Sequence, residues 1–169
     1  IVSSADLVQL AQAVLTDEQS DSHRRASAVC MAVKDAAFAY IREALLAGQA
    51  ITEYDVQQFI MQQFAANDMD PDHPPIVAIN KNAADPHYAP SAERFSPIKR
   101  GDVVLIDLWA RETNSSQDCY ADMTWTAYCG EDVPESVARA MRIPVSEGMG
   151  SGSVPWSNRE RETTRKCAV

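Results

Sequence analysis

The chain has 169 residues, 46% of them apolar and 23% charged, enough for one domain with its own core and too few for two ordinary ones. Its formal charge of −9 disfavours nucleic-acid and anionic-membrane partners, which need clustered Lys and Arg to meet phosphate. The composition also excludes a fibrous or disordered chain.

The elements begin with a short amphipathic helix over residues 5–15, where Leu7, Leu10, Ala11 and Val14 keep helical spacing behind Ser3 or Ser4. "TDEQ" at 16–19 has the pattern of a capping box. The apolar rhythm from Ala26 to Leu45 then predicts a long helix that Gly48 stops. "ITEYDVQQFIMQQFAAN" restarts at Thr52, with Glu53 and Asp55 in the positive first turn and Val56, Phe59, Ile60 and Phe64 as the buried stripe. "NDMDPDHPP" breaks it. Strands follow at "PIVAIN", "VVLIDLWA" and "CYADMTWTAYCG", the first two separated by a long proline-rich loop. Three helices followed by three strands predict an α+β fold with helices packed on one face of an antiparallel sheet.

The ends read differently. Ile1 stands where a Met would begin a protein, and "IVSS" resembles the end of a strand, so the chain is expected to start within a longer protein. "PESVARAM" offers a further helix, but from Arg139 onward the charge turns to +3 after −12 over the preceding residues. Residues 139–169 are therefore expected to be a foreign, disordered or frame-shifted tail. Cys30, Cys119, Cys129 and Cys167 form no C-x-x-C pair and suit the reduced thiols of a cytoplasmic protein. There is no apolar run of the roughly 20 residues a membrane span needs, and no leader-like opening.

Two carboxylates stand where a core should be. Asp107 lies in an apolar strand and Asp122 in an aromatic one. Alternation puts Asp107 on one face with Val103 and Leu105, and Asp122 on one face with Tyr120, Thr124 and Thr126. A hairpin turning tightly at Asn114 and Ser115 would set Asp107 opposite Asp122, where like charges repel unless a cation or shared proton lies between them. Paired carboxylate oxygens suit hard or borderline divalent ions. Against this, Asp near strand ends is often a turn former, and a bulge would break the register. Of the histidines, His23 reads as solvated and His73 as structural. His87, between prolines in a long loop, is either a donor to a substrate carbonyl or oxyanion or a brace for the loop.

"PPIVAINKNAADPHYAPS", "IKRGDVVLIDLWA" and "CYADMTWTAYCG" together resemble the first half of a pita-bread metallopeptidase, the family of methionine aminopeptidase, Xaa-Pro aminopeptidase, proline dipeptidase and creatinase. "AGQAITEYDV" is similar to the family's Gly-x-x-x-Thr-Glu turn, and the likeness runs from about Ala5 to Gly130, nearest to the Xaa-Pro branch. It implies two divalent ions, Mn, Co, Zn or Fe, with Asp107 a terminal ligand and Asp122 a bridging one. His87 would contact the substrate or its tetrahedral intermediate, and Thr124 would support the bridging ligand from the same strand face. The implied reaction is peptide hydrolysis by a metal-activated hydroxide, and the implied partners are a peptide substrate and, in the full-length protein, a second subunit.

On this reading residues 1–15 end an N-terminal domain and its linker helix, and 16–138 form the first half of the catalytic domain. Trp125 departs from the family, many members of which have Arg there, and the hairpin is longer than the commonest version. The family completes its site with a His and two Glu from a second half, whereas no histidine follows His87 here. The chain is therefore expected to be inactive by itself. The alternative is a non-catalytic module of the same fold that binds a peptide or protein. Creatinase-like hydrolysis without metal is disfavoured by the retention of both Asp. A purely structural domain leaves the Pro-His-Tyr loop unexplained. A sheet lacking its partner half is also expected to expose a strand edge that invites association.

Overall fold

The computed structural model describes residues 4–141. The expectations for "IVSS" before residue 4 and for the tail beyond residue 141 lie outside them. Helix α1 spans Ala5–Gln12, three residues short of its sequence expectation. The reason is local: Thr16 must be extended to cap the next helix (φ −70°, ψ 167°). Leu7 and Val14 are exposed.

Helix α2, Asp17–Leu46, opens on the capping box the sequence announces, with Gln19 N–H donating to Thr16 Oγ1 and Thr16 N–H to Gln19 Oε1. Its buried stripe runs Ser22, Ala26, Cys30, Val33, Ala37, Ile41 and Ala44. Gly48 ends the segment in the left-handed region (φ 67°), the conformation glycine adopts without a Cβ penalty. Helix α3, Glu53–Ala66, has a second capping box, from Thr52 and Asp55. Val56, Ile60 and Phe64 are fully buried, while Phe59 is partly buried and stacks on Tyr40 at 4.7 Å.

The sheet has four strands: β1 (Met69–Asp70), β2 (Ile76–Ile79), β3 (Val103–Glu112) and β4 (Ala121–Tyr128). Strand β1, only two residues long, is not expected from the sequence pattern. Strand β3 is the hub, pairing antiparallel with β2, with β4 and, at its far end, with β1. A 3-10 helix, Asn80–Ala84, follows β2, and α4, Glu135–Met141, closes the described segment.

Burial alternates along β3. Val104, Ile106, Leu108 and Ala110 are fully buried in one core with the α2 and α3 stripes, whereas Leu105, Asp107 and Trp109 are half-buried on the opposite face. Helices thus cover one face of an antiparallel sheet, as the order of elements predicts. Among the described residues, no helix is long and apolar enough to cross a membrane.

The predicted hairpin register is corrected. Asp107 pairs with Thr124, and Asp122 pairs with Trp109. Between β3 and β4 lie eight residues, 113–120, rather than a tight turn at Asn114 and Ser115. Asp118 shapes this loop: Oδ2 accepts from Ser115 N–H (2.7 Å), and Oδ1 accepts from the Ser22 hydroxyl on α2 (3.0 Å). Ser22 Oγ in turn accepts from Cys119 N–H (3.2 Å). The register moves by two residues, an even step, so both carboxylates keep the expected face.

Candidate metal centre

The uncovered face of β3 and β4 carries Asp107, Asp122 and Thr124. Thr124, directly across from Asp107, donates its hydroxyl to Asp107 Oδ1 at 2.6 Å. Asp122 lies diagonally from Asp107, a relation in which Cα atoms are roughly 7–8 Å apart. The Asp122 carboxyl is pushed above the usual carboxylate range, first by partial loss of water and then by the charge of Asp107. An acid raised beside a second carboxylate, with a hydroxyl fixing that second group, forms a donor set of the kind hard divalent ions take.

A cavity of about 200 Å³ opens beside Asp107 and Thr124, with Ile76, Ala78 and Leu105 as an apolar floor and Pro86 at one wall. His87 is not among its lining residues, although Asp85 and Pro86 are. The imidazole is exposed, and the His87 backbone N–H donates to Asp85 Oδ1 (3.0 Å). The structure thus brings Asp107 and Thr124 into contact and sets Asp122 on the same face, while neither Asp122 nor His87 lines the cavity.

Neighbouring groups are fastened to other tasks. Asp102 Oδ1 accepts from Asn80 Nδ2 (2.8 Å), its Oδ2 accepts from Lys99 N–H (2.7 Å), and Asn80 Oδ1 accepts from Val103 N–H (3.0 Å). The "Gly-Asp" before β3 therefore pins the end of β2 to the start of β3. His23, read as solvated, is exposed, but its Nδ1 lies 2.8 Å from Tyr120 O. His73 pairs with Asp72 in the turn (2.9 Å). Trp125 faces the helices, with Lys34 Nζ 3.9 Å above its ring, so this departure from the family pattern lies on the face away from the carboxylates. Cys30, Cys119 and Cys129 are not joined in disulfides, and burial pushes the Cys30 thiol up to about 11, which keeps it protonated and unsuited to metal binding.

Sequence reasoning missed Glu53. It reads as a first-turn acid suited to a helix N-terminus, yet it is fully buried at the start of α3. Its Oε1 accepts from Ile79 N–H (2.7 Å) and Asn82 Nδ2 (2.9 Å). Its Oε2 accepts from Ser96 N–H (2.7 Å) and the Tyr88 hydroxyl. The available signal was the Thr-Glu pair itself, adjacent to a capping box that already used Thr52 and Asp55 and so left Glu53 without a local task.

Residues 21–145 match the sequence profile of metallopeptidase family M24. The chain belongs to that family. Its fold is correspondingly part of the pita-bread fold, and solved structures share it. X-Pro aminopeptidase from Thermotoga maritima is 22% identical with a TM-score of 0.61, over 78% of this chain and 34% of that one. X-prolyl aminopeptidase from Caenorhabditis elegans, described as a cytosolic enzyme with a di-nuclear active site, is 23% identical with a TM-score of 0.65, over 77% and 21%. Prolidase from Pyrococcus horikoshii is 22% identical with a TM-score of 0.62, over 80% and 35%. This M24 chain thus spans about a third or less of the solved proteins it resembles. No curated protein sequence matches it.

Proposed function

We propose that this M24 chain supplies the first two carboxylate ligands of a dinuclear metallopeptidase acting on Xaa-Pro peptides. Membership of a metallopeptidase family and the Thr124–Asp107 contact beside Asp122 carry the reading. Asp107 would hold one ion and Asp122 would lie between two. When bound, the ions supply a water acidic enough to ionise near neutral pH and a positive field for the developing oxyanion. Thr124 fixes the orientation of Asp107, so the carboxylate need not reorganise to meet a cation. The apolar floor of Ile76, Ala78 and Leu105 keeps water from one side of the site, and His87 offers its imidazole to a substrate carbonyl.

Residues 16–138 are, on this proposal, the first half of a catalytic domain. Cys30, Cys119 and Cys129, none of them in a disulfide, accord with a cytoplasmic setting. Two carboxylates fall short of the ligands a divalent ion requires, so the chain by itself binds metal weakly and does not turn over peptide. Assay of the purified chain with an Xaa-Pro dipeptide and Mn(II) tests this. No hydrolysis is expected, and turnover abolished by Asp122→Ala would overturn the inactivity.

The alternative is a module of the same fold that binds a peptide or protein without cleaving it. Mn(II) uptake that depends on both Asp107 and Asp122 separates the two, because only the enzyme reading requires it.

A further inference from the structure

Glu53 is the one fully buried acid among the described residues, and the proposed chemistry does not use it. Removing a carboxylate from water costs several kcal/mol unless strong hydrogen bonds replace the lost hydration. Here four neutral donors do so, from Ile79, Asn82, Tyr88 and Ser96. The positive end of α3, of which Glu53 is the first residue, adds to them. The Glu53 backbone N–H also donates to Ser96 O (3.1 Å).

These donors are spread along one segment. Ile79 ends β2, Asn82 lies in the 3-10 helix, Tyr88 follows His87, and Ser96 closes the loop. Gln57, one turn along α3, adds its Nε2 to the carbonyls of Pro75 (2.9 Å) and Pro90 (3.2 Å). A loop this long and rich in proline has few ladder bonds of its own, so its shape is set by what its ends and middle are tied to. His87 is exposed and is anchored mainly through its neighbours: Asp85 holds its backbone N–H, and Tyr88 is buried on Glu53.

We propose that Glu53, acting through Tyr88, is the positioning residue for His87, holding residues 79–96 as one unit against the sheet face that carries Asp107. The proposal deepens the reading of His87 as a substrate-contacting group. Its test reads the loop and the imidazole directly, and requires neither metal nor turnover.

Amide hydrogen exchange and imidazole NMR spectra are to be recorded on the 169-residue chain, on Glu53→Gln and on Tyr88→Phe. Glutamine replaces one acceptor oxygen with a donor, so one pair of donors loses its partner. Exchange at Ile79, Ser96 and the residues between them should rise about tenfold or more, the equivalent of roughly 1.4 kcal/mol, while α2 and the β3–β4 ladder keep their protection. The His87 imidazole signals should move toward those of an unstructured peptide, with His23 and His73 unchanged. Tyr88→Phe removes one donor and leaves three, so it stays folded even if Glu53→Gln does not, and it should move His87 part of the way. Unchanged loop protection, a loss of protection spread equally over the domain, or a His87 signal indifferent to Tyr88→Phe would each overturn the proposal. Metal uptake by Asp107 and Asp122 is a separate measurement, so failure of the functional reading is recognisable apart from failure of this one.

Discussion

Thr124 Oγ1 donates to Asp107 Oδ1 across 2.6 Å, a contact made possible because the two residues are direct partners in the β3–β4 ladder. This contact gives Asp107 a fixed rotamer on an otherwise open face. Thr124→Val keeps the shape and removes the donor. Outer partners of metal ligands typically contribute 10- to 100-fold in affinity, so Thr124→Val is expected to weaken Mn(II) binding by about tenfold or more, with the unfolding midpoint little changed. Calorimetric titration beside urea denaturation checks both parts.

Leu108 is fully buried between the residues that flank the site on β3. Leu108→Ala opens a cavity in the helix-facing core, at an expected cost of about 2–5 kcal/mol. Urea unfolding followed by circular dichroism measures it, and a loss under 1 kcal/mol would contradict a close-packed core there.

The Asp118 carboxyl is held below the usual range, chiefly by the Ser115 N–H, with help from the Ser22 hydroxyl and the Arg25 charge. A folded pKa below the unfolded one means the contribution to stability is present above the unfolded pKa, roughly 3.9, and is lost as pH falls through the folded value. Asp118→Ala should therefore be less stable than wild type at pH 7, and the gap should close as the pH drops below about 4. Urea midpoints of both proteins from pH 7 to pH 3 test this, and a gap that widens on acidification would contradict it.

Much of the scaffold was legible because its signals are local. The capping box at Thr16/Gln19 and the Thr52 cap each lie within four residues, and the stripe from Ala26 to Ile41 is periodic. The shared face of Asp107 and Asp122 was legible for the same reason, since alternation along a strand needs no tertiary information. The hairpin register was not: the reversal is shaped by Asp118 reaching Ser22 on α2, 96 residues away in sequence. Glu53 was hidden in the same way. Its donors lie 26 to 43 residues further along the chain, and the Thr-Glu pair shows that Glu53 lacks a local task without showing which groups it meets. Strand β1 is two residues long and exists only because β3 extends to Glu112 to meet it.

The central claim, that Asp107 and Asp122 form a cation site on the open sheet face, is tested most directly by Mn(II) titration of the 169-residue chain, of Asp107→Asn and of Asp122→Asn, each shown by circular dichroism to be folded. The account predicts weak but saturable uptake by the wild type that is lost in both variants. No uptake by the wild type, or uptake unchanged in either variant, would contradict it.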